Sequence, residues 1–143
     1  SARLSGTTID LATLDTTFAA ASRDARLVVE GAGGVRVPIN DRELMTDLMA
    51  RLALPVVVVA RSTLGTINHT LLTLEALRAR SLAVAGVVMV GPPNADNRDA
   101  IERYGSVRVL GEMPAFAPLT ARCVSDWVTS AFDPSGHLVE LLQ

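Results

Sequence analysis

The sequence predicts an α/β protein built on a doubly wound, mostly parallel sheet. Two apolar runs, "PVVVVA" at 55–60 and "AVAGVVMV" at 83–90, show no polar alternation, as strands covered on both faces require. Stretches with apolar residues at helical spacing separate such runs. Strand and helix therefore alternate, an order that sets strands side by side in one direction with helices over the sheet. No internal repeat, linker or low-complexity stretch interrupts the pattern, so a single domain over residues 1–143 is expected.

Each element has its own warrant. Residues 9–21 read as a helix running into Ala-rich sequence, and 26–29 as a short strand. Asn40 with Glu43 stands in capping-box register, and Leu44, Leu48 and Leu52 then repeat at helical spacing. After the strand at 55–60, the loop "RSTLG" enters a helix with Ile67, Leu71 and Leu74 on one side. The strand at 83–90 is followed by the turn-rich "GPPNADN" and a helix through about Tyr104. "VRVLG" at 107–111 is a further strand, and helices near 118–132 and at the C-terminus complete the order.

Composition excludes several classes. At 143 residues, with 49% apolar and 20% charged residues, the chain is an ordinary globular type. A net charge of −2 offers no electrostatic case for nucleic acid or an anionic membrane. The single cysteine, Cys123, cannot form an internal disulfide or by itself a zinc site, and reads as a small packed residue on a helix. No apolar run approaches the roughly 20 residues that span a bilayer. "SARLSGTTID" has no apolar core of a signal peptide, so a cytoplasmic protein is expected. Every basic residue is Arg; the chain contains no Lys.

Two stretches carry candidate chemistry. In "VVEGAGG" (28–34) a valine run ends on Glu30, and glycines follow at 31, 33 and 34. In an open parallel sheet, ligands sit beyond the carboxyl ends of the strands, and Glu30 stands at such an end. Glycine backbone lets a ligand approach closely, and a carboxylate there suits a hydrated Mg²⁺ carrying phosphates. The alternative is a glycine turn with a solvated Glu30. The second stretch, "STLGTINHT" (62–70), leaves a strand and enters a helix, whose first N–H groups and dipole favour an anion. The alternative there is plain capping by Ser62, Thr63 or Thr66. His69 reads as a hydrogen-bonded structural residue, and His137 as a surface one.

Together these segments resemble dethiobiotin synthetases. The likeness rests on "VEGAGG" at 29–34, "LPVVVVARSTLGTINHTLLTLEALR" at 54–78, "AGVVMVG" at 85–91 and "VLGEMP" at 109–114, in family order and spacing. It implies a P-loop NTPase-like fold and an ATP-dependent ligase that makes dethiobiotin from 7,8-diaminononanoate and CO₂ with Mg²⁺. A carbamate forms on one amine, its oxygen attacks the γ-phosphate, and the second amine closes the ureido ring. The resemblance makes Glu30 the Mg²⁺ ligand. It assigns ATP contacts to Glu30, Gly31, Ala32, Gly33, Val90, Gly91, Met113, Pro114 and Ala115, with 111–114 near the base. Substrate contacts fall on Gly33, Gly34, Leu64, Gly65, Thr66, Ile67 and Asn68, the last five reaching across a homodimer interface. Where several relatives place an Asn that reads adenine, this chain has Val90.

The departures are equally specific. No G-x-x-x-x-G-K-[ST] loop is present, and the family's catalytic lysines have no counterpart in a lysine-free chain. The expectation is therefore the C-terminal part of a longer protein, inactive by itself. Two other readings remain: a related ATPase with a partitioning or regulatory role, and a non-catalytic dimerisation scaffold of the same fold. The first would carry a basic patch or an amphipathic tail, and neither is present in the sequence.

Overall fold

A computed structural model describes residues 2–23 and 25–138, which divide into two compact units, 1–54 and 55–143. The first unit is helical. A short 3₁₀ turn at Ala2–Ser5 precedes helix α1 (Leu11–Ala21), which is capped by Asp10 through the Ala12 N–H at 3.1 Å. Helix α2 spans Met45–Leu52. Arg51 ties the two helices, reaching Asp15 at 2.9 Å and Glu43 at 3.1 Å. The hydrogen bond to Asp15 holds the Arg51 guanidinium above its ordinary pKa, and the charges of Asp15 and Glu43 add to it.

Two expectations for this unit are corrected. Residues 26–29 form no strand, and Val28 is 99% exposed. A strand is defined by its ladder, and no described strand pairs with this run. Nor does Asn40 cap α2. Pro38 and Leu44 form an antiparallel bridge, and the chain between them folds into a turn closed by the Ile39 N–H on the Glu43 carbonyl at 2.9 Å. Asn40 Oδ1 accepts the Arg42 and Glu43 N–H groups, both at 2.9 Å, inside that turn. The helix starts later, with Asp47 Oδ2 accepting the Leu44 N–H at 2.7 Å. The capping residues are real, but they serve a turn that the Pro38–Leu44 bridge closes.

The second unit has the α/β architecture expected. Strands β1 (Val56–Arg61), β2 (Val84–Val90) and β3 (Val109–Met113) form a parallel sheet in that order, with α3 (Thr66–Arg78), α4 (Ala95–Gly105) and α5 (Ala121–Ala131) after them in turn. Irregularities in register leave Ala85 as an extra residue against β1 and Leu110 as one against β2. Val88 and Leu110 pack with Trp127 of α5, and Val90, Met113, Phe116 and Phe132 complete that cluster. Strand alternation leaves Val87 and Met89, both fully buried, for the opposite face, where α3 and α4 contact the sheet. Gly105 lets α4 approach Leu74 of α3 closely, since a Cβ there would stand 2.8 Å from its Cδ1.

β1 corrects the idea of a strand covered on both faces. Val58 is buried, but Val57 is 37% and Val59 69% exposed. β1 and β3 are the two edge strands, and α5 packs against β3, at the far side of the sheet from Val57 and Val59. The helix expected at the C-terminus lies largely outside the described residues. Cys123 is half-buried in α5, as expected, and receives the Thr120 hydroxyl at 3.0 Å.

Candidate functional site

Parallel strands place their carboxyl ends along one edge. In register, Arg61 stands beside Val90, and Val90 beside Met113. Three loops leave from that edge: 62–65 after β1, 91–94 after β2, and 114–120 after β3. These loops hold every predicted site residue of the second unit except those in the first turn of α3 and the strand-end residues Val90 and Met113.

The α3 terminus has no side-chain cap: its N-cap is Gly65, at φ 90° and ψ −8°. A left-handed N-cap suits glycine and exposes the backbone. Capping by Ser62, Thr63 or Thr66 is thereby excluded as the account of this sequence. The Thr63 carbonyl accepts the Thr66 N–H at 3.1 Å, but the Ser62 and Thr66 hydroxyls are buried without a partner among the described residues. A buried unpaired hydroxyl costs about 1–3 kcal/mol, so two of them beside an uncapped helix start mark a polar site. Leu64 and Asn68 are exposed and Ile67 half-buried. The His69 ring is exposed and has no hydrogen-bond partner among the described residues, which corrects its reading as a bonded structural His.

At the β2 end, Val90 turns its side chain to the cluster around Trp127. Its carbonyl accepts the Ser62 N–H at 3.0 Å, and the Gly91 N–H donates to the Met113 carbonyl at 2.9 Å. Gly91 has φ 130°, and a Cβ there would collide with the Ser62 hydroxyl. Glycine is required at that position by both conformation and space. Pro114 and Ala115 are exposed just past β3.

In the first unit, Glu30 to Gly34 form an exposed irregular segment. Gly33 has φ 81°, and a Cβ on it would meet Val37 Cγ2 at 3.0 Å. The Gly34 carbonyl accepts the Val37 N–H at 3.0 Å, closing a turn. The Glu30 carboxylate is exposed, with no hydrogen-bond partner among the described residues. An accessible oxygen donor of this kind fits Mg²⁺, which keeps several waters and takes one or two carboxylates plus phosphate oxygens. Among the described residues no group of three or more His, Cys, Asp or Glu gathers as a cage, and Mg²⁺ does not require one.

A cleft of about 430 Å³ opens elsewhere, beside the start of β2 at Val84 and next to Arg108 just before β3. Arg78 there donates to the Ser106 carbonyl at 3.0 Å, capping the end of α4. His137 lines the cleft and is half-buried, a surface residue as expected.

Sequence reading missed Glu112, Asn97 and Arg98, which hold the loops. Glu112 accepts the Asn94 N–H at 3.2 Å and pairs with Arg98 at 3.5 Å; Asn97 Nδ2 donates to the Ser62 carbonyl at 3.0 Å. The signal was present: "VLGEM" also sets an acid at the end of an apolar run, the same anomaly that singled out Glu30.

A parallel sheet with its helices following the strands in turn defines an α/β domain, and comparison names its family: the family described as "AAA domain" matches residues 1–122, and the chain belongs to it. Among curated proteins it is similar to the ATP-dependent dethiobiotin synthetase BioD of Paramagnetospirillum magneticum, at 60% identity over 71% of this chain and 50% of that protein. The BioD of Afipia carboxidovorans is 43% identical over 94% of this chain and 62% of its own length. The biotin biosynthesis bifunctional protein BioCD of Bordetella avium is 59% identical over 72% of this chain and 22% of its length. The chain thus spans about half the length of the single-function relatives it matches.

Proposed function

We propose that the complete protein is an ATP- and Mg²⁺-dependent cyclo-ligase that closes the ureido ring of dethiobiotin from 7,8-diaminononanoate and CO₂. The observation that carries this reading is the start of α3: a left-handed glycine N-cap, no side-chain cap and two unpartnered buried hydroxyls. It stands within "LGTINHT", in a chain 60% identical to a protein named for this reaction. The helix N-terminus receives the carboxylate of the diamine. One amine takes up CO₂ as a carbamate, whose oxygen attacks the γ-phosphate and releases ADP. The second amine then attacks the activated carbonyl and expels phosphate, closing the ring.

Glu30 would hold Mg²⁺, which when bound neutralises phosphate charge, and the glycines at 31, 33 and 34 admit ligand against bare backbone. A lysine and nested amides for the transferring phosphoryl group are absent from this chain, so it is not expected to close the ring alone. The exposed Leu64, beside the start of α3, supports a homodimer, since exposed apolar surface favours association. No described helix is long and apolar enough to cross a membrane, and the proposed location is the cytoplasm. The test is to supply the complete protein with the diamine, bicarbonate and Mg-ATP and to detect dethiobiotin by mass. ATP hydrolysis without that product would overturn the assignment.

Two substitutions examine the parts. Gly65→Val should raise KM for the diamine about tenfold and leave that for ATP within about twofold, because a side chain there blocks the helix start and is strained at φ 90°. Equal damage to both constants would indicate a packing or dimer defect instead. Base selectivity should be weak. Val90 has no side-chain donor or acceptor for adenine, Pro92 and Pro93 lack N–H groups, and the Gly91 N–H is already bonded. A bidentate amide contact to adenine is worth about 1–3 kcal/mol in nucleic-acid complexes, and without one kcat/KM for ATP, GTP and CTP should lie within about tenfold. A preference for ATP of about a hundredfold or more would show that backbone carbonyls read the base.

A further inference from the structure

We infer that Glu112 is a positioning residue that locks the loop after β2 to the end of β3, and so sets the affinity for the nucleotide. The inference rests on the proposed nucleotide contacts at Val90, Gly91, Met113, Pro114 and Ala115.

The loop at 91–94 has the sequence Gly-Pro-Pro-Asn, so two prolines leave it only the N–H groups of Gly91 and Asn94. Both are held by β3. The Gly91 N–H donates to the Met113 carbonyl at 2.9 Å, and the Asn94 N–H to Glu112 Oε1 at 3.2 Å. The other carboxylate oxygen faces Arg98 Nη1 at 3.5 Å, and Arg98 Nε also stands 3.6 Å from Glu102. The Glu112 side chain is 19% exposed, so its charge sits in a partly desolvated place where such bonds strengthen. It also lies at the start of α4, where the helix dipole favours an anion. Asn94 in turn caps α4 by accepting the Asn97 N–H at 2.9 Å. The Glu112 carbonyl receives Trp127 Nε1 at 3.1 Å, which fixes this point of β3 to α5. One carboxylate thus joins the end of β3 to the loop after β2 and to α4, beside the proposed nucleotide contacts, while making no hydrogen bond to the loop before α3 among the described residues.

The experiment measures ATP binding by calorimetry and steady-state kinetics on the complete protein, wild type, Glu112→Ala and Glu112→Gln. Glu112→Ala should weaken ATP binding and raise its KM about tenfold, leaving kcat and the KM for the diamine within about twofold. Glu112→Gln keeps an acceptor for the Asn94 N–H and should recover most of that loss. The inference is overturned if Glu112→Ala binds ATP like wild type. It is also overturned if both KM values rise while kcat and the melting temperature drop together, or if Glu112→Gln is no better than Ala. Should Glu112→Ala not fold, Glu112→Gln decides alone: normal folding with a modest rise in KM for ATP only supports the role, and any other pattern rejects it. If wild-type protein fails to bind ATP, the nucleotide reading itself falls. If it binds ATP and the variants do so equally, only this inference does.

Discussion

Replacing Glu30 with Gln in the complete enzyme should slow dethiobiotin formation by about a hundredfold while leaving the fold intact. The two halves of that expectation have separate causes. Glutamine keeps the shape of the side chain but removes the negative charge that would face Mg²⁺. Losing an electrostatic contact made to developing phosphoryl charge typically costs about 3 kcal/mol of barrier. The fold is spared because Glu30 is exposed and has no hydrogen-bond partner among the described residues. Surface substitutions of that kind stay within roughly 0.5 kcal/mol of wild type. Rates should be measured across a Mg²⁺ titration, alongside the melting temperature. A variant with normal turnover and unchanged Mg²⁺ dependence would reduce Glu30 to a solvated residue before a glycine turn.

Gly86→Ala should be among the most damaging single-methyl additions in the second unit. The added Cβ would stand 2.6 Å from Leu110 Cγ and 2.9 Å from the Arg108 carbonyl oxygen. The oxygen is main chain and hydrogen-bonded to the Val87 N–H at 2.9 Å, so it cannot step aside without breaking the β2–β3 ladder. Leu110 is itself buried against Val88 and Trp127 and has no free volume to retreat into. Overpacking of this kind costs about 3 kcal/mol, a fall of roughly 10 °C in melting temperature at this chain length. Gly34→Ala is the matched control. A Cβ there meets nothing within 4 Å, so stability should hardly change. Unfolding in urea would compare the two, and a Gly86→Ala midpoint equal to that of wild type would show that the β2–β3 contact is looser than drawn.

Much of the α/β pattern was legible because it depends on short-range features. The runs at 55–60 and 83–90 are too apolar to lie anywhere but in a sheet, and β1 and β2 fall on them within a residue or so. The helix between them follows from its spacing, and "STLGTINHT" was readable as a strand-to-helix loop because glycine and small polar residues are needed there. Glu30 and Gly65 could be singled out for a like reason: an acid ending a valine run and a glycine opening a helix are both anomalies visible without coordinates.

What the sequence could not decide were matters of partnership. "RLVV" at 26–29 has the composition of a strand, yet strand formation depends on a neighbour that local sequence does not specify. Asn40 and Glu43 have the chemistry of a helix cap, but the bridge between Pro38 and Leu44 gave their hydrogen bonds to a turn. Val57 and Val59 match Val58 in type, and they are exposed because α5 covers their face of the sheet at β3 rather than at β1. The resemblance sets Val90 where relatives carry an adenine-reading Asn, while strand alternation sends its side chain toward Trp127. Glu112 gains its role solely because folding brings Asn94 and Arg98, 18 and 14 positions earlier, against its carboxylate. Periodicity, glycine and charge anomalies act within a few residues and are written in the chain. Pairing, coverage and the partners of a buried charge are set by which distant segments meet, and that only the tertiary structure decided.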